Sequence, residues 1–81
     1  MDSKQMQRSI GRVIQARRSR LGYSQESFAD AIGVHRTYVG SVERGERNVT
    51  LKNLLVIADG LKMPLSTMIA AAEADLMMHD S

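Results

Sequence analysis

The chain has 81 residues, of which 43% are apolar and 25% charged, with a formal net charge of +2 and no cysteine. This length favours one domain, residues 1–81, near the lower size at which a single hydrophobic core is sufficient. The absence of cysteine excludes disulfides, thiolate metal sites and cysteine nucleophiles. No apolar run approaches the roughly 18 residues of a membrane helix, and the N-terminus lacks the hydrophobic core of a signal peptide. We therefore expect a cytoplasmic protein.

The charges are distributed unevenly along the chain. All 11 Lys and Arg and six of the nine acidic residues lie in residues 1–62, which gives this part a net charge of +5. Residues 63–81 hold three acids and no base, a net charge of −3. A basic body with an acidic end indicates a polyanion partner on one side of the fold and a different role for the other side.

Apolar residues at helical spacing predict five helices. The first is expected at about Met6–Leu21, after a frayed polar lead-in, Met1–Gln5, and Gly22 ends it as a left-handed C-cap. Thr50 caps the fourth helix, and the fifth follows at about Leu65–Met78. The apolar repeat of the fourth helix consists of Leu51, Leu54, Leu55, Ala58 and Leu61.

The stretch between these elements predicts two helices joined by a sharp turn. Ser24 is a good N-cap for a short second helix, Gln25–Ile32, and Gly33 makes the turn to a third helix at about Arg36–Arg44. The inward residues of this pair are Phe28, Ala29, Ile32, Val34, Val39 and Val42. The opposite face of the third helix is a strip of small polar and basic side chains, which a DNA major groove can accept. This strip consists of Arg36, Thr37, Gly40, Ser41 and Arg44.

The first turn of the third helix carries the strongest functional signal. Arg36 has no acidic neighbour in that turn, so its charge faces the positive end of the helix dipole at a cost of about 0.3–1 kcal/mol. Stability alone would favour Asp or Glu there, whereas an Arg can donate two hydrogen bonds to O6 and N7 of a guanine. Thr37 offers a hydroxyl to a base edge or phosphate and a methyl group to thymine. The alternative for each is an ordinary solvated surface residue.

Other candidate DNA contacts surround this turn. Gln25 begins the second helix, where backbone N–H groups favour a phosphate to which its amide could also donate. His35 could donate to a phosphate, Ser41 could reach a base or backbone oxygen, and Tyr38 could stack on the sugar-phosphate edge or pack half-buried. Candidates for the DNA backbone or the flanking minor groove are Arg44, Arg47 and Asn48. The predicted DNA-binding residues are thus Gln25, His35, Arg36, Thr37, Tyr38, Ser41, Arg44, Arg47 and Asn48.

Glu43 is the one acid of the third helix, and it adjoins Val42, which we expect to face the core. A carboxylate that points inward needs a partner, because an unpaired buried charge is strongly unfavourable. Arg18 is the best candidate for that partner. Such a structural ion pair would fix the angle between the first and third helices.

The fifth helix is the candidate dimer surface. Its apolar stripe consists of Met68, Ile69, Ala72 and Leu76, extended by Ala71 and Met77. The negative charge of this end would keep it away from DNA. The alternative is that the stripe only closes the core of the monomer.

Nothing in the sequence favours catalysis. His35 and His79 lie far apart, and the chain has no glycine-rich phosphate loop and no pair of acids near a nucleophile. We therefore expect no catalytic residue, no cofactor and no metal site.

Residues 10–69, most of the chain, resemble the Xre/Cro-like helix-turn-helix regulators. The motifs that carry the resemblance are Gly22 with Ser24-Gln25, Phe28-Ala29, Gly33, Glu43-Arg44-Gly45 and Pro64-Leu65-Ser66. The resemblance implies an all-α fold, a five-helix lambda-repressor-like DNA-binding domain with a helix-turn-helix.

Within that family, the runs Arg36–Val39 and Glu43–Thr50 look most like the controller proteins of restriction–modification systems. Those are dimers that bind operators next to their own promoter and time endonuclease expression. The resemblance implies a double-stranded DNA operator and a homodimer, with RNA polymerase as a further candidate partner. The roles it implies are a phosphate clamp at Gln25, base readers at Arg36, Thr37 and Ser41, and an internal ion pair of Arg18 with Glu43.

Two positions depart from the pattern of many relatives. Val49 stands where Pro is common, and Gly40 stands where a larger polar residue is often found, without a side chain to contact a base. Short phage-type repressors, and antitoxins that bind a protein partner, share the same fold and much of the pattern. They are the alternative function.

Overall fold

The computed structural model describes residues 2–79, and these form five α-helices without a strand. The helices are α1 (Ser3–Arg20), α2 (Gln25–Ile32), α3 (Arg36–Glu43), α4 (Leu51–Gly60) and α5 (Leu65–His79). The all-α, five-helix prediction is confirmed. Every predicted boundary lies within one residue of the observed one except the start of α1.

The helix α1 begins at Ser3, so the predicted frayed lead-in is wrong from that residue onward; Met1 lies outside the described residues. The physical reason is a cap at Asp2, whose carboxylate accepts a hydrogen bond of 2.8 Å from the backbone N–H of Lys4. An Asp at this position satisfies one of the donors that a helix start leaves unpaired and complements the helix dipole.

The turns form as the sequence predicts. Gly22 and Gly33 adopt left-handed conformations, with φ of 85° and 76°, which glycine reaches without a Cβ clash. Ser24 caps α2 by accepting a hydrogen bond of 2.9 Å from the backbone N–H of Ser27, and Thr50 caps α4 in the same way. These turns place α3 directly after α2 with its N-terminus at the surface.

The core lies between α1, α5 and the helix-turn-helix. Its largest fully buried side chains are Phe28, Ile14, Leu61 and Met68. The helix α5 packs along α1, and its residues Met68, Ala72 and Leu76 are at most 7% exposed within the protomer. These three residues, predicted to form the dimer interface, are therefore covered within the protomer, and Ile69 is half-buried. The stripe closes the monomer core, which was the alternative.

Exposed apolar side chains lie instead on α4 and at the end of α5. Leu51 and Leu55, two members of the predicted apolar repeat, are 64% and 51% exposed. The members of this exposed group are Leu51, Leu55, Val56, Met77 and Met78. Only one edge of α4 is covered by the core, through Ile57 and Ala58, so its repeat is wider than the surface that the protomer buries.

A polar link also joins α1 to α5. The guanidinium of Arg12 pairs with Asp75 at 2.7 Å and donates a second hydrogen bond to buried Ser9. The hydrogen bond from Arg12 lowers the pKa of Asp75 below its ordinary value, against the opposing effect of burial. No single helix within residues 2–79 meets the length and apolarity of a membrane span, although α4 and α5 together, bent by 98°, do so by length and composition.

Gly11 lies where α1 packs tightly against the end of α3. A Cβ at this position would lie 2.7 Å from the carbonyl oxygen of Val42 and would also collide with the carbonyl of Glu43. Both obstacles are backbone atoms, which cannot rotate away. The absence of a side chain at Gly11 therefore sets the distance between these two helices.

We predict that Gly11→Ala lowers the free energy of unfolding by about 1–3 kcal/mol or more, because the added methyl group forces α3 away from α1. In an unobstructed helix the same change would be stabilising by about 1 kcal/mol. The measurement is urea unfolding followed by circular dichroism. The matched control is Gln15→Ala on the exposed face of α1, expected within about 0.5 kcal/mol of the parent. Equal stability of the two variants would contradict the close approach.

Candidate nucleic-acid interface

The predicted ion pair between Arg18 and Glu43 forms and is buried. Nε of Arg18 donates to Oε2 of Glu43 at 2.6 Å, and Nη2 donates to Oε1 at 3.1 Å. Nη1 donates to the backbone oxygen of Tyr23 at 2.7 Å. The hydrogen bonds with Glu43 raise the pKa of Arg18, against the opposing effect of burial. The guanidinium thus fastens α1, the segment before α2, and the C-terminal end of α3 to one point.

Gln25, the predicted phosphate clamp, joins this cluster. Its amide Nε2 donates to Oε1 of Glu43 at 3.0 Å, across the turn between α2 and α3. One of the two N–H groups of this amide is therefore engaged within the protein. The backbone N–H groups at the start of α2 keep the favourable end of the helix dipole for an anion.

The first turn of α3 presents Arg36 and Thr37 to solvent, as predicted. Its N-cap residue, His35, is exposed and makes no side-chain capping hydrogen bond. No acidic residue lies in this turn. Arg36 borders an open hollow of about 240 Å³ that it shares with Ser24, Gln25 and Glu26 at the start of α2. Two helix starts and one free guanidinium therefore face the same solvent region.

The middle of α3 differs from the prediction. Gly40 and Ser41 are buried, so the expected continuous exposed strip from Arg36 to Arg44 is wrong at these two positions. The hydroxyl of Ser41 donates to the backbone oxygen of Tyr38 at 2.8 Å and accepts a hydrogen bond of 3.1 Å from Nε of Arg47. The guanidinium of Arg47 covers Ser41, which explains its low exposure and leaves its hydroxyl engaged.

Arg47 is held in place by an aromatic ring as well. Its Cζ lies 5.4 Å from the centroid of the Tyr38 ring, a distance at which a cation over an aromatic face is attracted to it. The Tyr38 hydroxyl in turn accepts a hydrogen bond of 2.9 Å from Nδ2 of Asn53 on α4. Tyr38 is half-buried, the second of its two predicted settings. Asn53 thus holds Tyr38, and Tyr38 holds Arg47, an exposed basic residue beside α3.

The remaining candidates lie at the C-terminal end of α3 and in the loop after it. Arg44 is exposed and donates through Nε to Oε2 of Glu46 at 3.1 Å. Asn48 is exposed and lines an open hollow of about 370 Å³ with the N-terminal part of α1. The structure therefore brings Arg36, Thr37, Arg44 and Arg47 onto α3 and its flank, while Asn48 lies toward α1.

Sequence reasoning missed Asn53, which donates to the hydroxyl of Tyr38, and Glu46, which accepts from Arg44. The signal for Glu46 was its position two residues after Arg44, where a local ion pair can form. The contact of Asn53 with Tyr38 joins two helices, and no local pattern indicates it. A polar residue in the first turn of α4, two residues after the exposed Leu51, was the only signal in the sequence.

A comparison with protein families finds that residues 13–68 match the model of the helix-turn-helix family HTH_3. The chain belongs to this family. Control protein C.MunI of a Mycoplasma species is 44% identical to it over 59 residues, which cover 73% of this chain and 80% of the relative. Control protein C.SmaI of Serratia marcescens is 60% identical over 38 residues, 47% of this chain, and the match spans only 45% of that relative.

A solved structure with a similar fold is that of the restriction–modification controller protein C.Esp1396I, as a tetramer in complex with its natural 35 base-pair operator. It has a TM-score of 0.80 and 28% sequence identity, and the match covers 89% of this chain and 95% of that chain. The resemblance to controller proteins, first seen in the runs around Arg36 and Glu43, is therefore confirmed by relatives in sequence and in structure.

We predict that Arg18→Met costs about 3–5 kcal/mol in the free energy of unfolding, because it leaves the carboxylate of Glu43 buried without its cation. The double variant Arg18→Met/Glu43→Leu should be more stable than Arg18→Met, since no charge is then buried. Chemical unfolding of both variants and the parent at pH 7 measures this. A double variant less stable than either single change would mean that the pair is not a coupled buried unit.

Proposed function

We propose that this protein is a sequence-specific DNA-binding transcriptional regulator that acts as a dimer on an operator of two half-sites. The observation that carries the proposal is the exposed, uncapped first turn of α3 with Arg36 and Thr37, backed by the buried Arg18–Glu43 pair. A guanidinium delivered by a helix N-terminus matches the two acceptors on the major-groove edge of guanine. The relatedness to control proteins, one of them bound to its operator, supports the same reading.

The regulated genes follow from the same relatives. We place the protein as a controller of a restriction–modification system that includes its own gene, acting in the cytoplasm where the DNA lies. Contact with RNA polymerase stays a prediction, and catalysis is not part of the proposal. The alternative, an antitoxin or small phage-type repressor with a protein partner, differs in its neighbouring gene: a toxin gene would favour it, and an endonuclease or methyltransferase gene would favour the controller.

The dimer is proposed on a different surface from the one that the sequence suggested. A single recognition helix reads few base pairs, so specificity requires two copies about 34 Å apart on one face of the duplex. Because the stripe of α5 is buried in the protomer, the exposed face of α4 with Leu51 and Leu55 is the better candidate. Next to it lies a largely apolar hollow lined by Met6, Ile10, Val49 and Leu54. A second copy would cover this apolar surface.

We predict that Arg36→Ala abolishes preference for the operator and leaves the fold intact. The matched control is Arg20→Ala, which removes the same charge at the exposed end of α1. Gel-shift titration against an operator selected from random duplexes and against an unrelated duplex measures the preference. Operator affinity unchanged by Arg36→Ala would exclude its base-reading role.

We also predict that the operator affinity of the parent protein falls with salt, with a slope of about −0.9 in log affinity against log salt concentration per neutralised phosphate. Independence of salt would contradict DNA binding itself.

We predict that Leu55→Asp turns the dimer into a monomer, since a charge would replace an apolar contact between two copies. Sedimentation equilibrium across a range of protein concentrations measures the change. The control is Met77→Asp at the more exposed end of α5, which should leave the dimer unchanged. If Met77→Asp dissociates the dimer and Leu55→Asp does not, the interface lies on α5 instead.

A further inference from the structure

Arg44, the C-cap residue of α3, lies back over the middle of that helix. Its Nη1 stands 3.1 Å, and its Cζ 3.9 Å, from the point that a Cβ on Gly40 would occupy. Long side chains on a helix point toward its N-terminus, so a residue covers the turn before its own Cα. The guanidinium of Arg44 therefore lies one turn closer to the N-terminus of α3 than its place in the sequence suggests.

Gly40 makes this position available. Any side chain there would put a Cβ 3.1 Å from Nη1 of Arg44, closer than ordinary van der Waals contact. Oε1 of Gln25 stands 3.6 Å from the same point, so a carbonyl dipole and the guanidinium share the space that a side chain would fill. The missing side chain at position 40 is thus replaced by a cationic group from position 44.

The direction of the guanidinium is also determined. Nε of Arg44 donates to the carboxylate of Glu46 at 3.1 Å, and among the side-chain hydrogen bonds identified within residues 2–79 this is the one that engages the guanidinium of Arg44. The Nη1 and Nη2 groups therefore remain as a fork. Residues 36, 40 and 44 are spaced by four and lie on one face of α3, so this fork follows Arg36 along the same face.

We infer that Arg44 is a second base-reading residue of this protein, specific for a guanine on the major-groove edge. Its fork has the geometry to donate to O6 and N7 of that base. The sequence alone had suggested that Arg44 contacts the DNA backbone or the minor groove. The inference rests on the proposed function, and it assigns to Gly40 the role of a position that determines specificity by leaving space.

The test uses the full chain and an operator selected by the parent protein from a library of random duplexes. Each base pair of one half-site is then substituted in turn, and affinities are measured by fluorescence anisotropy for the parent and three variants. The variants are Arg44→Ala, Arg44→Lys and Gly40→Ala. Arg44 is exposed, so its variants should keep the circular dichroism spectrum and melting curve of the parent.

Arg44→Ala should lose a preference of about 10- to 100-fold at one base pair per half-site, distinct from the one lost in Arg36→Ala. Arg44→Lys keeps the charge but not the fork, so it should lose the same preference while the salt dependence stays that of the parent. Gly40→Ala should displace the guanidinium and relax the same position, with no further effect when Arg44 is already Ala.

Other results overturn the inference. If Arg44→Ala weakens binding equally for every sequence, lowers the salt slope by about 0.9, and Arg44→Lys restores both, then Arg44 contacts a phosphate only. If Gly40→Ala changes no base preference, position 40 does not determine specificity. If the parent selects no sequence from the library, the proposed function fails as well, so the two failures are distinguishable.

Discussion

The buried pair of Arg18 and Glu43 is the constraint on which the geometry of this protein depends. Burying two charges costs free energy that their attraction need not exceed, so the pair is better understood as an orienting device than as a source of stability. Three donor atoms of one guanidinium reach α3 and the segment before α2, and planar hydrogen bonds of this kind admit one arrangement. Gly11 complements it by letting the backbone of α3 approach α1. The direction of α3 is thus determined from its C-terminal end, at Glu43.

Because α3 is oriented from its C-terminal end, its N-terminal end can have a sequence that is unfavourable for helix stability. A helix of eight residues is marginal by itself, and α1, α2 and α4 each have a side-chain cap from Asp2, Ser24 or Thr50, whereas α3 has none. An uncapped start with a cation in its first turn destabilises α3. The apolar face of the helix and the ion pair at its other end nevertheless hold it in place. Its unpaired backbone N–H groups and Arg36 are thereby left for an anionic ligand.

The sequence predicted well what is decided locally. Helix bounds follow from caps and periodicity, and both depend on residues that are close together in the sequence. The ion pair was predictable because an inward carboxylate admits few partners. The contacts of Ser41, Gln25 and the stripe of α5 were not predicted, and the cause is the same for all three: periodicity indicates that a face is covered but does not identify the group that covers it. Arg47 covers Ser41, Glu43 engages Gln25, and α1 covers α5, and each of these contacts joins separate segments.

Contacts between separate segments also affect how the uneven distribution of charge along the chain should be understood. Three of the basic residues in the body act inside the fold: Arg12 on Asp75, Arg17 on the backbone oxygens that end α4, and Arg18 on Glu43. They contribute to the net charge of the sequence but are not free to neutralise phosphates. The exposed guanidinium groups on α3 and its flank, those of Arg36, Arg44 and Arg47, are therefore the candidates for phosphate contacts. For a dimer, the number of phosphates neutralised, and with it the salt dependence of binding, should follow that local count rather than the charge of the whole chain.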